Sequence, residues 1–162
     1  MRPTPIIAIC LSALGVSLAH APSARADVEP PVPLAVIVHP DVPEHSLSAT
    51  ELARVFTRRR SYWNAGMRAV PFNYKTEDPL RREFDRVVLQ MTPDEVGRFW
   101  RDERIRHGTR PPRQLAQAAL AVRVVASLEG SIAYVPEAMV TGNVRVVARI
   151  RDGKIIPVRG AK

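Results

Sequence analysis

The stretch from Leu47 to Tyr74 constrains the fold most, because it fixes where a helix begins and what must follow it. Ser48 and Glu51 have the spacing of a capping box, in which each side chain binds the other residue's backbone N–H. Leu47, just before the cap, is placed to pack on Leu52 one turn into the helix. The pattern therefore predicts a helix that begins at Ser48 with a fixed entry angle.

That predicted helix, residues 48–57, carries its apolar side chains at helical spacing. Leu52, Val55 and Phe56 fall on one face, which is the pattern of a helix that packs on a sheet. The basic side chains on and after it are left to solvent or to an anion: Arg54, Arg58, Arg59 and Arg60.

The first 26 residues have the layout of a signal peptide that is removed on export. Arg2 supplies a charged start, residues 6–18 are apolar, and Ala24 and Ala26 form a small-x-small cleavage pattern. The apolar run is shorter than the roughly 20 residues of a spanning helix, which disfavours the alternative of a membrane anchor. The sequence therefore predicts cleavage near Ala26 and a periplasmic chain that begins at Asp27.

The mature chain has the cysteine and charge content of an exported basic protein. The one cysteine of the sequence, Cys10, lies in the predicted signal peptide, so disulfides, thiolate nucleophiles and cysteine metal sites are not expected in the mature chain. The formal net charge of +8 falls to +6 when Arg2 and Arg25 leave with the leader. This charge suits oxyanions, anionic lipid or acidic proteins, whereas export argues against nucleic acid. An arginine-rich composition without a binding role is the alternative.

The 136 residues after residue 26 are enough for one domain, residues 34–162, behind a proline-rich leader at residues 27–33. Residues 34–39 form a nearly unbroken apolar run, which predicts a buried strand that is central and parallel. Residues 69–74 predict a second strand after the capped helix. Strand, helix and strand at this spacing indicate a parallel crossover unit.

Two further helices have clear starts. Asp78 can cap one helix with Pro79 in its first turn. Residues 92–95 form a second capping box, and the helix that follows is predicted to turn Phe99 and Trp100 inward. Arginines on these helices are predicted to lie away from the inner face.

For the last third of the mature chain, the sequence predicts a loop, a helix and three strands. Residues 107–113 contain a glycine and two adjacent prolines, so they form a loop. Residues 114–128 are alanine-rich and apolar on most sides, which predicts a largely buried helix. Strands are predicted at residues 131–135, 143–150 and 155–158, the last two joined by a tight hairpin turn at Asp152-Gly153.

Five features of the mature chain recur in the same order in a known family. They are the segment 46–56, the basic turn and tryptophan at 58–63, the short strand at 70–73, Phe84, and the glycine-led strand at 130–135. In this order they are similar to the phosphate-binding proteins of bacterial phosphate ABC transporters. The resemblance extends over most of the mature chain, from about residue 34 to residue 147.

Full-length members of that family have two lobes of the type II periplasmic binding fold and hold the anion between them. This chain is long enough for one lobe only. The resemblance therefore implies an α/β fold, a three-layer mixed sheet flanked by helices, with half of a ligand cleft. Two-lobed binders close around their ligand, so a lone lobe offers an exposed half-site unless a second chain completes it.

The family's anion clasp on this lobe is a Ser-Gly-Thr-Arg run at a helix start, where hydroxyl and backbone N–H groups converge on phosphate. Aligned on Arg81 and Phe84, residues 78–81 of this chain read Asp-Pro-Leu-Arg, which removes both hydroxyls and one N–H. Asp78 is then predicted to cap the helix from within. The residues that remain as candidate oxyanion ligands are Lys75, Thr76, Arg81 and Arg82.

Histidine and serine offer two weaker constellations. His39 and His45 are close enough in sequence to share a metal, but proline-broken spacing favours ordinary strand-end and loop histidines. Ser61, His107 and Asp102 contain the residue types of a catalytic triad without a nucleophile elbow around the serine. We therefore expect neither a metal, a cofactor nor an enzyme activity.

The arginine run beside Tyr62 and Trp63 has two interpretations. It is either a basic-aromatic patch for an oxyanion, an acidic lipid or a partner protein, or a solvated turn with Trp63 buried in the core. Burial is the favoured interpretation for Trp63. The basic residues 104–113 form a second loop with the same two interpretations.

Two functions follow from these observations. The first is a non-catalytic periplasmic solute-binding or sensing module related to phosphate-binding proteins, which binds an oxyanion such as phosphate weakly. The alternative is a ligand-free interaction protein that docks to a membrane sensor or transporter partner. In that case the contact residues are Arg58, Arg59 and Arg60.

Overall fold

A computed structural model describes residues 32–158. The predicted signal peptide, residues 1–26, and residues 27–31 of the proline-rich leader lie outside the described residues. The elements in chain order are β1 (Leu34–Val38), α1 (Ala49–Phe56), β2 (Val70–Asn73), α2 (Pro79–Phe84), a π-helical turn (Asp85–Leu89), α3 (Pro93–His107), β3 (Arg113–Gln114), α4 (Ala118–Ser127), β4 (Ser131–Pro136), a 3₁₀ turn (Glu137–Met139), β5 (Arg145–Arg151) and β6 (Lys154–Pro157).

The six strands form one mixed sheet in the order β3-β2-β4-β1-β5-β6. β2 runs parallel to β3 and β4, whereas β1 runs antiparallel to β4 and β5. β1 is central and buried at every position, as predicted, but the prediction that it is parallel was wrong. An apolar run indicates that a strand is buried on both faces, but it does not indicate whether the neighbouring strands are parallel or antiparallel.

The predicted parallel crossover from β1 to β2 was also wrong. β4 lies between these strands, antiparallel to β1 and parallel to β2, so β1 and β2 run in opposite directions. A parallel crossover occurs later in the chain, where α4 connects β3 to β4. These two strands lie on either side of β2 and run parallel to it. Strand, helix and strand in succession indicate the order of elements but do not say which strands become neighbours.

Helices cover both faces of the sheet. The Ser131 hydroxyl on β4 donates to the carbonyls of Val125 and Leu128 at 3.3 and 2.6 Å, which places α4 on that face. Tyr134 is three residues further along β4 and therefore on the opposite face. There its ring packs against Phe56 of α1 and Phe84 of α2. The chain is thus a three-layer α/β fold with a mixed sheet, as predicted.

The helix starts that were predicted from capping boxes are confirmed. Both capping boxes are formed, with Ser48 and Glu51 at α1 and with Thr92 and Glu95 at α3. The predicted start of the last helix at residue 114 was too early, because residues 113 and 114 pair with β2 as β3. The backbone groups of this segment are taken up by the sheet, so α4 begins only at Ala118.

The two tryptophans are buried to different degrees. Trp63 is 2% exposed and its indole N–H donates to the Gly130 carbonyl at 2.9 Å, which confirms the core interpretation. Trp100 is only half-buried on α3, as is Phe99, and Val96 is the one fully buried residue of that helix. Long, apolar helices of the kind that cross a membrane do not occur among residues 32–158.

Candidate functional site

The candidate site lies where β2 ends and the chain turns into α2. β2 ends at Asn73, residues 74–78 form the connection, and α2 begins at Pro79. Because β2, β3 and β4 are parallel, their carboxyl ends share one edge of the sheet. Open α/β folds bind ligands outside that edge.

Beneath the connection, three buried polar residues hold the ends of β2 and β4 together. The Tyr134 hydroxyl donates to the Asn73 side-chain oxygen, and that oxygen also accepts the Tyr74 backbone N–H at 3.0 Å. The Tyr74 hydroxyl donates to the Tyr134 carbonyl at 2.7 Å. The bonds from Tyr74 to Tyr134 and from Tyr134 to Asn73 fix where the connection leaves the sheet.

Arg81 joins the same cluster from α2. Its Nε donates to Asp85 Oδ2 at 2.5 Å and its Nη1 donates to the Tyr74 carbonyl at 3.1 Å. Arg81 and Asp85 are only 5% and 3% exposed. The second carboxylate oxygen of Asp85 is buried and has no partner within residues 32–158. The prediction that arginines of this helix lie away from its inner face was therefore wrong for Arg81.

Burial sets the protonation of this cluster. Burial raises the pKa of Tyr74 and of Tyr134 above the ordinary tyrosine value, so both hydroxyls stay protonated and act as donors. Burial also raises the pKa of Asp85, and the neighbouring Arg81 opposes that shift only in part. Each hydroxyl is already bonded to a protein oxygen, so the cluster supports the connection above it.

An aromatic stack anchors α2 on the sheet. Phe84 lies flat on Tyr134, with ring centroids 3.9 Å apart and an interplanar angle of 5°. Phe56 of α1 packs on the same Phe84 with centroids 4.5 Å apart. These contacts hold the inner face of α2 and leave its opposite face, with Arg82, to solvent.

The four candidate oxyanion ligands differ in their exposure. Lys75 is exposed and Thr76 is half-buried in the connection, whereas Arg81 is buried beneath it. Arg82 is exposed on α2. Arg81 and Arg82 are consecutive on α2, one buried and one exposed, so they leave the helix in different directions.

Asp78 caps α2, as predicted. Its Oδ1 accepts the Leu80 N–H at 2.8 Å, and Pro79 has no N–H to offer. Two of the N–H groups that a helix start can offer to an anion are therefore not available here, one because Asp78 accepts it and one because Pro79 lacks it. An anion bound nearby would depend largely on the side chains of the connection.

Arg82 also borders a groove on the outer side of α2, with a volume of about 430 Å³. Gln90, which adopts a left-handed backbone conformation with φ 55°, ends the π-helical turn at this groove. The full lining comprises Arg82, Arg86, Gln90, Met91, Thr92, Pro93 and Glu95.

The three arginines after α1, residues 58–60, differ in their contacts and in their exposure. Arg60 forms an ion pair with the buried Glu44, and its guanidinium lies 5.4 Å from the centroid of the Trp63 ring. Arg59 is exposed and lies over Phe99, 5.8 Å from the ring centroid. Arg58 is half-buried in a left-handed conformation with φ 63°.

The histidine and serine constellations form ordinary local contacts. His39 Nδ1 accepts the Asp41 N–H at 3.2 Å, and His45 Nδ1 lies 3.1 Å from Arg145 Nη1. Within residues 32–158, no three His, Cys, Asp or Glu side chains are grouped as metal ligands. The Ser61 hydroxyl donates to the Arg58 carbonyl at 3.4 Å.

The polar network under the site was not predicted from the sequence. Asp85 was detectable, because it follows Arg81 by four residues and therefore faces it on a helix. The hydrogen bond between Tyr134 and Asn73 could not be predicted in this way, because the two residues are 61 apart in the chain.

No protein-family model matches the sequence, and no curated protein matches it. Solved structures do match. A phosphate ABC transporter substrate-binding protein with bound phosphate, from Clostridium perfringens, aligns with a TM-score of 0.59 and 17% identity over 78% of this chain and 48% of that one. An ABC-type phosphate transport receptor from Vibrio cholerae has a TM-score of 0.57 and 10% identity over 73% of this chain and 47% of that one.

PstS from Borrelia burgdorferi gives a similar result, with a TM-score of 0.56 and 11% identity over 71% of this chain and 47% of that one. The chain thus spans about half the length of the structures that it matches. At these identities the comparison establishes the fold, that of half a substrate-binding protein. The neighbours are named for phosphate binding and transport.

Proposed function

We propose that the chain is an exported, non-catalytic periplasmic solute-binding or sensing module that binds an inorganic oxyanion weakly at the end of β2. The fold, which is that of half a phosphate-binding protein, is the observation that carries the proposal. In this proposal residues 1–26 are the signal peptide and residues 34–162 form one lobe. Phosphate is the first ligand to test, because the protein from Clostridium perfringens binds it.

The connection after β2 has suitable chemistry for an oxyanion. Lys75 offers an exposed ammonium and Thr76 a hydroxyl at the carboxyl edge of parallel strands. Arg81 uses Nε and Nη1 within the protein, which leaves Nη2 without a partner among the described residues. Arg82 adds an exposed charge from α2. Binding is expected to be weak, because exposed charges are screened by salt.

Calorimetry of the full chain with phosphate and with sulfate tests the proposal. We expect heat of binding with phosphate, its loss in the variant Lys75→Ala, and its reduction in Arg82→Ala. Lys154→Ala is the matched control, because Lys154 is also an exposed lysine and its strand, β6, lies four strands from β2 in the sheet. The absence of both heat and a thermal shift with either anion at millimolar concentration would remove the proposal.

A second candidate function is docking to a membrane sensor or transporter partner through the arginine run. The exposure of Arg59 next to Phe99 favours it, because an arginine beside an aromatic ring is a common interface anchor. Arg58 is its neighbour in the chain and is half-buried. Arg60 is less available, since it neutralises Glu44.

A pull-down from membranes distinguishes the two candidates. The double variant Arg58→Ala and Arg59→Ala should lose a membrane partner, while Arg60 is retained to keep Glu44 paired. A partner recovered equally by the native chain and by the double variant would count against docking at this surface. Phosphate binding should be unchanged in that variant, because the arginines lie outside the connection after β2.

A further inference from the structure

A small groove on α3 shares no lining residue with either surface discussed above. It has a volume of about 180 Å³, roughly six times the volume share of one water molecule. Its lining comprises Gly97, Trp100, Arg101, Arg104 and Pro111. Four of these residues lie along one stripe of the helix, and Pro111 folds back from the segment that follows it.

The fold itself does not require a glycine at position 97. A Cβ atom built there would meet only Arg101 Nη1 at 3.7 Å, which is an ordinary contact, and the glycine is not in a left-handed conformation. Glycine inside a helix costs about 1 kcal/mol relative to alanine. The helix thus contains a weakening residue that its own packing does not explain, and the space left by the missing side chain belongs to the groove.

Trp100 forms the apolar part of this groove. The ring is half-buried and meets Phe99 edge-on, with centroids 4.9 Å apart. Its indole N–H is buried without an acceptor within residues 32–158. A buried N–H without a partner is unfavourable, so the described part of the chain does not fully satisfy this tryptophan.

The walls of the groove are positively charged. Arg101 and Arg104 are exposed, and neither forms an ion pair with the residues that the structure describes. Arg110 and Arg113, on the segment that carries Pro111, are exposed as well. The helix has acidic residues too, but none of them lines the groove. The charge of the walls therefore complements a negative ligand.

We propose that this groove binds an acidic segment of another protein. One apolar side chain of the segment would fill the space above Gly97 against Trp100, and flanking carboxylates would pair with Arg101 and Arg104. Tryptophan and arginine are the residue types enriched in binding hot spots. A pocket of one side chain's size between two cations selects an apolar residue flanked by acidic ones, whereas a lipid headgroup would use only the charges.

Fluorescence anisotropy with a labelled peptide tests this inference. The probe is a synthetic peptide with one leucine flanked on both sides by glutamates, added to the full chain at low salt. Two control peptides replace the glutamates by glutamine or the leucine by glycine. We expect binding of the first peptide only, and a decrease in affinity with added salt.

Variants then assign the binding to the groove. Gly97→Leu fills the space, so we expect a loss of affinity of roughly tenfold or more, whereas thermal stability should be equal or higher because leucine favours the helix. Arg101→Glu and Arg104→Glu should weaken binding to a similar extent. Arg106→Glu is the matched control, because Arg106 is exposed on the same helix outside the groove.

Three results would overturn the inference. One is no binding of the leucine-glutamate peptide at millimolar concentration. Another is equal affinity for the native chain and the stably folded Gly97→Leu variant. The third is binding to vesicles of anionic phospholipid without binding to the peptide, because a membrane would then be the ligand.

Discussion

The guanidinium of Arg81 and the carboxylate of Asp85 form an ion pair inside the protein, with Nε and Oδ2 2.5 Å apart and side chains that are 5% and 4% exposed. The residues are four apart at the junction between α2 and the π-helical turn. The same arginine reaches the Tyr74 carbonyl at the end of β2. One buried pair therefore links the helix to the strand at the candidate site.

Removal of Arg81 should destabilise the fold strongly. In Arg81→Met, Asp85 loses its partner within the core, and an unpaired buried charge costs about 3 to 5 kcal/mol. Urea denaturation at neutral pH measures the change in the free energy of unfolding. The double variant Arg81→Met and Asp85→Leu should recover much of the loss, because an apolar pair replaces the charges. A loss below about 1 kcal/mol in the single variant would contradict the buried pair.

Asp85 should contribute more to the stability of the fold at acidic pH than at neutral pH. Burial raises its pKa in the folded state, so the folded chain holds this proton more tightly than the unfolded chain. Its favourable contribution is complete below the unfolded pKa and disappears as the pH rises through the raised folded value. Relative to Asp85→Asn, the native chain should therefore gain stability as the pH falls through that window. Thermal unfolding at several pH values measures the difference, and a difference that shrinks toward acid would contradict it.

Glu51 should act in the opposite direction. Hydrogen bonds from the Ser48 backbone and side chain lower its pKa in the fold, so its contribution is complete above the unfolded pKa. That contribution is lost as the pH falls through the lowered folded value. The native chain should lose its advantage over Glu51→Gln in acid. The same pH series measures this, and an advantage that does not change with pH would argue that the capping box is not formed in solution.

The features that could be predicted from the sequence are those coded by neighbouring residues. The starts of α1 and α3 follow from Ser48 with Glu51 and from Thr92 with Glu95, pairs only three residues apart. The hairpin between β5 and β6 follows from Asp152-Gly153, where both residues adopt a positive φ. Local hydrogen bonds decide these structures, so the pattern is sufficient.

The features that were mispredicted depend on residues far apart in the chain. The direction of β1 is set by pairing with β4, in which Val36 lies opposite Tyr134. Arg81 was expected at the surface because it is an arginine, and only the fold shows that it pairs with Asp85 in the core. No local pattern records such partners. For the same reason, the sequence could not predict how the candidate oxyanion ligands are positioned around the connection after β2.

Gly130 should be intolerant of any side chain. Its φ is +73°, and a Cβ atom there would lie 2.1 Å from the Arg68 carbonyl oxygen. The glycine carbonyl also accepts the Trp63 indole N–H, so a shift of this backbone disturbs the core. Gly130→Ala should therefore unfold the chain or destabilise it by several kcal/mol, beyond the roughly 1 to 2 kcal/mol of a left-handed alanine.

Gly66 provides the matched control for that prediction. Its φ is +78°, but a Cβ atom there would meet nothing within 4 Å. Gly66→Ala should thus show the cost of the backbone conformation alone, about 1 to 2 kcal/mol. Chemical denaturation of both variants gives the difference. Equal losses would mean that the close approach of Gly130 to Arg68 does not exist in solution.

The arginine run should separate into structural and dispensable members. Glu44 has a side chain that is 5% exposed, it pairs with Arg60, and it accepts the Asn64 N–H at 3.0 Å. Arg60→Ala leaves this carboxylate with one partner fewer, so we expect a loss of about 1.5 to 3 kcal/mol. Arg59→Ala removes only an exposed contact with Phe99, worth at most about 1 kcal/mol.

Thermal and urea unfolding of these two single variants measure the separation. If Arg60→Ala is as stable as Arg59→Ala, the pairing of Arg60 with Glu44 is not significant, and all three arginines become equally available to a partner. If it is clearly less stable, a docking defect of a variant that includes Arg60→Ala is ambiguous, because misfolding would produce it too. Only Arg58 and Arg59 can then report on docking, since their removal leaves Glu44 paired.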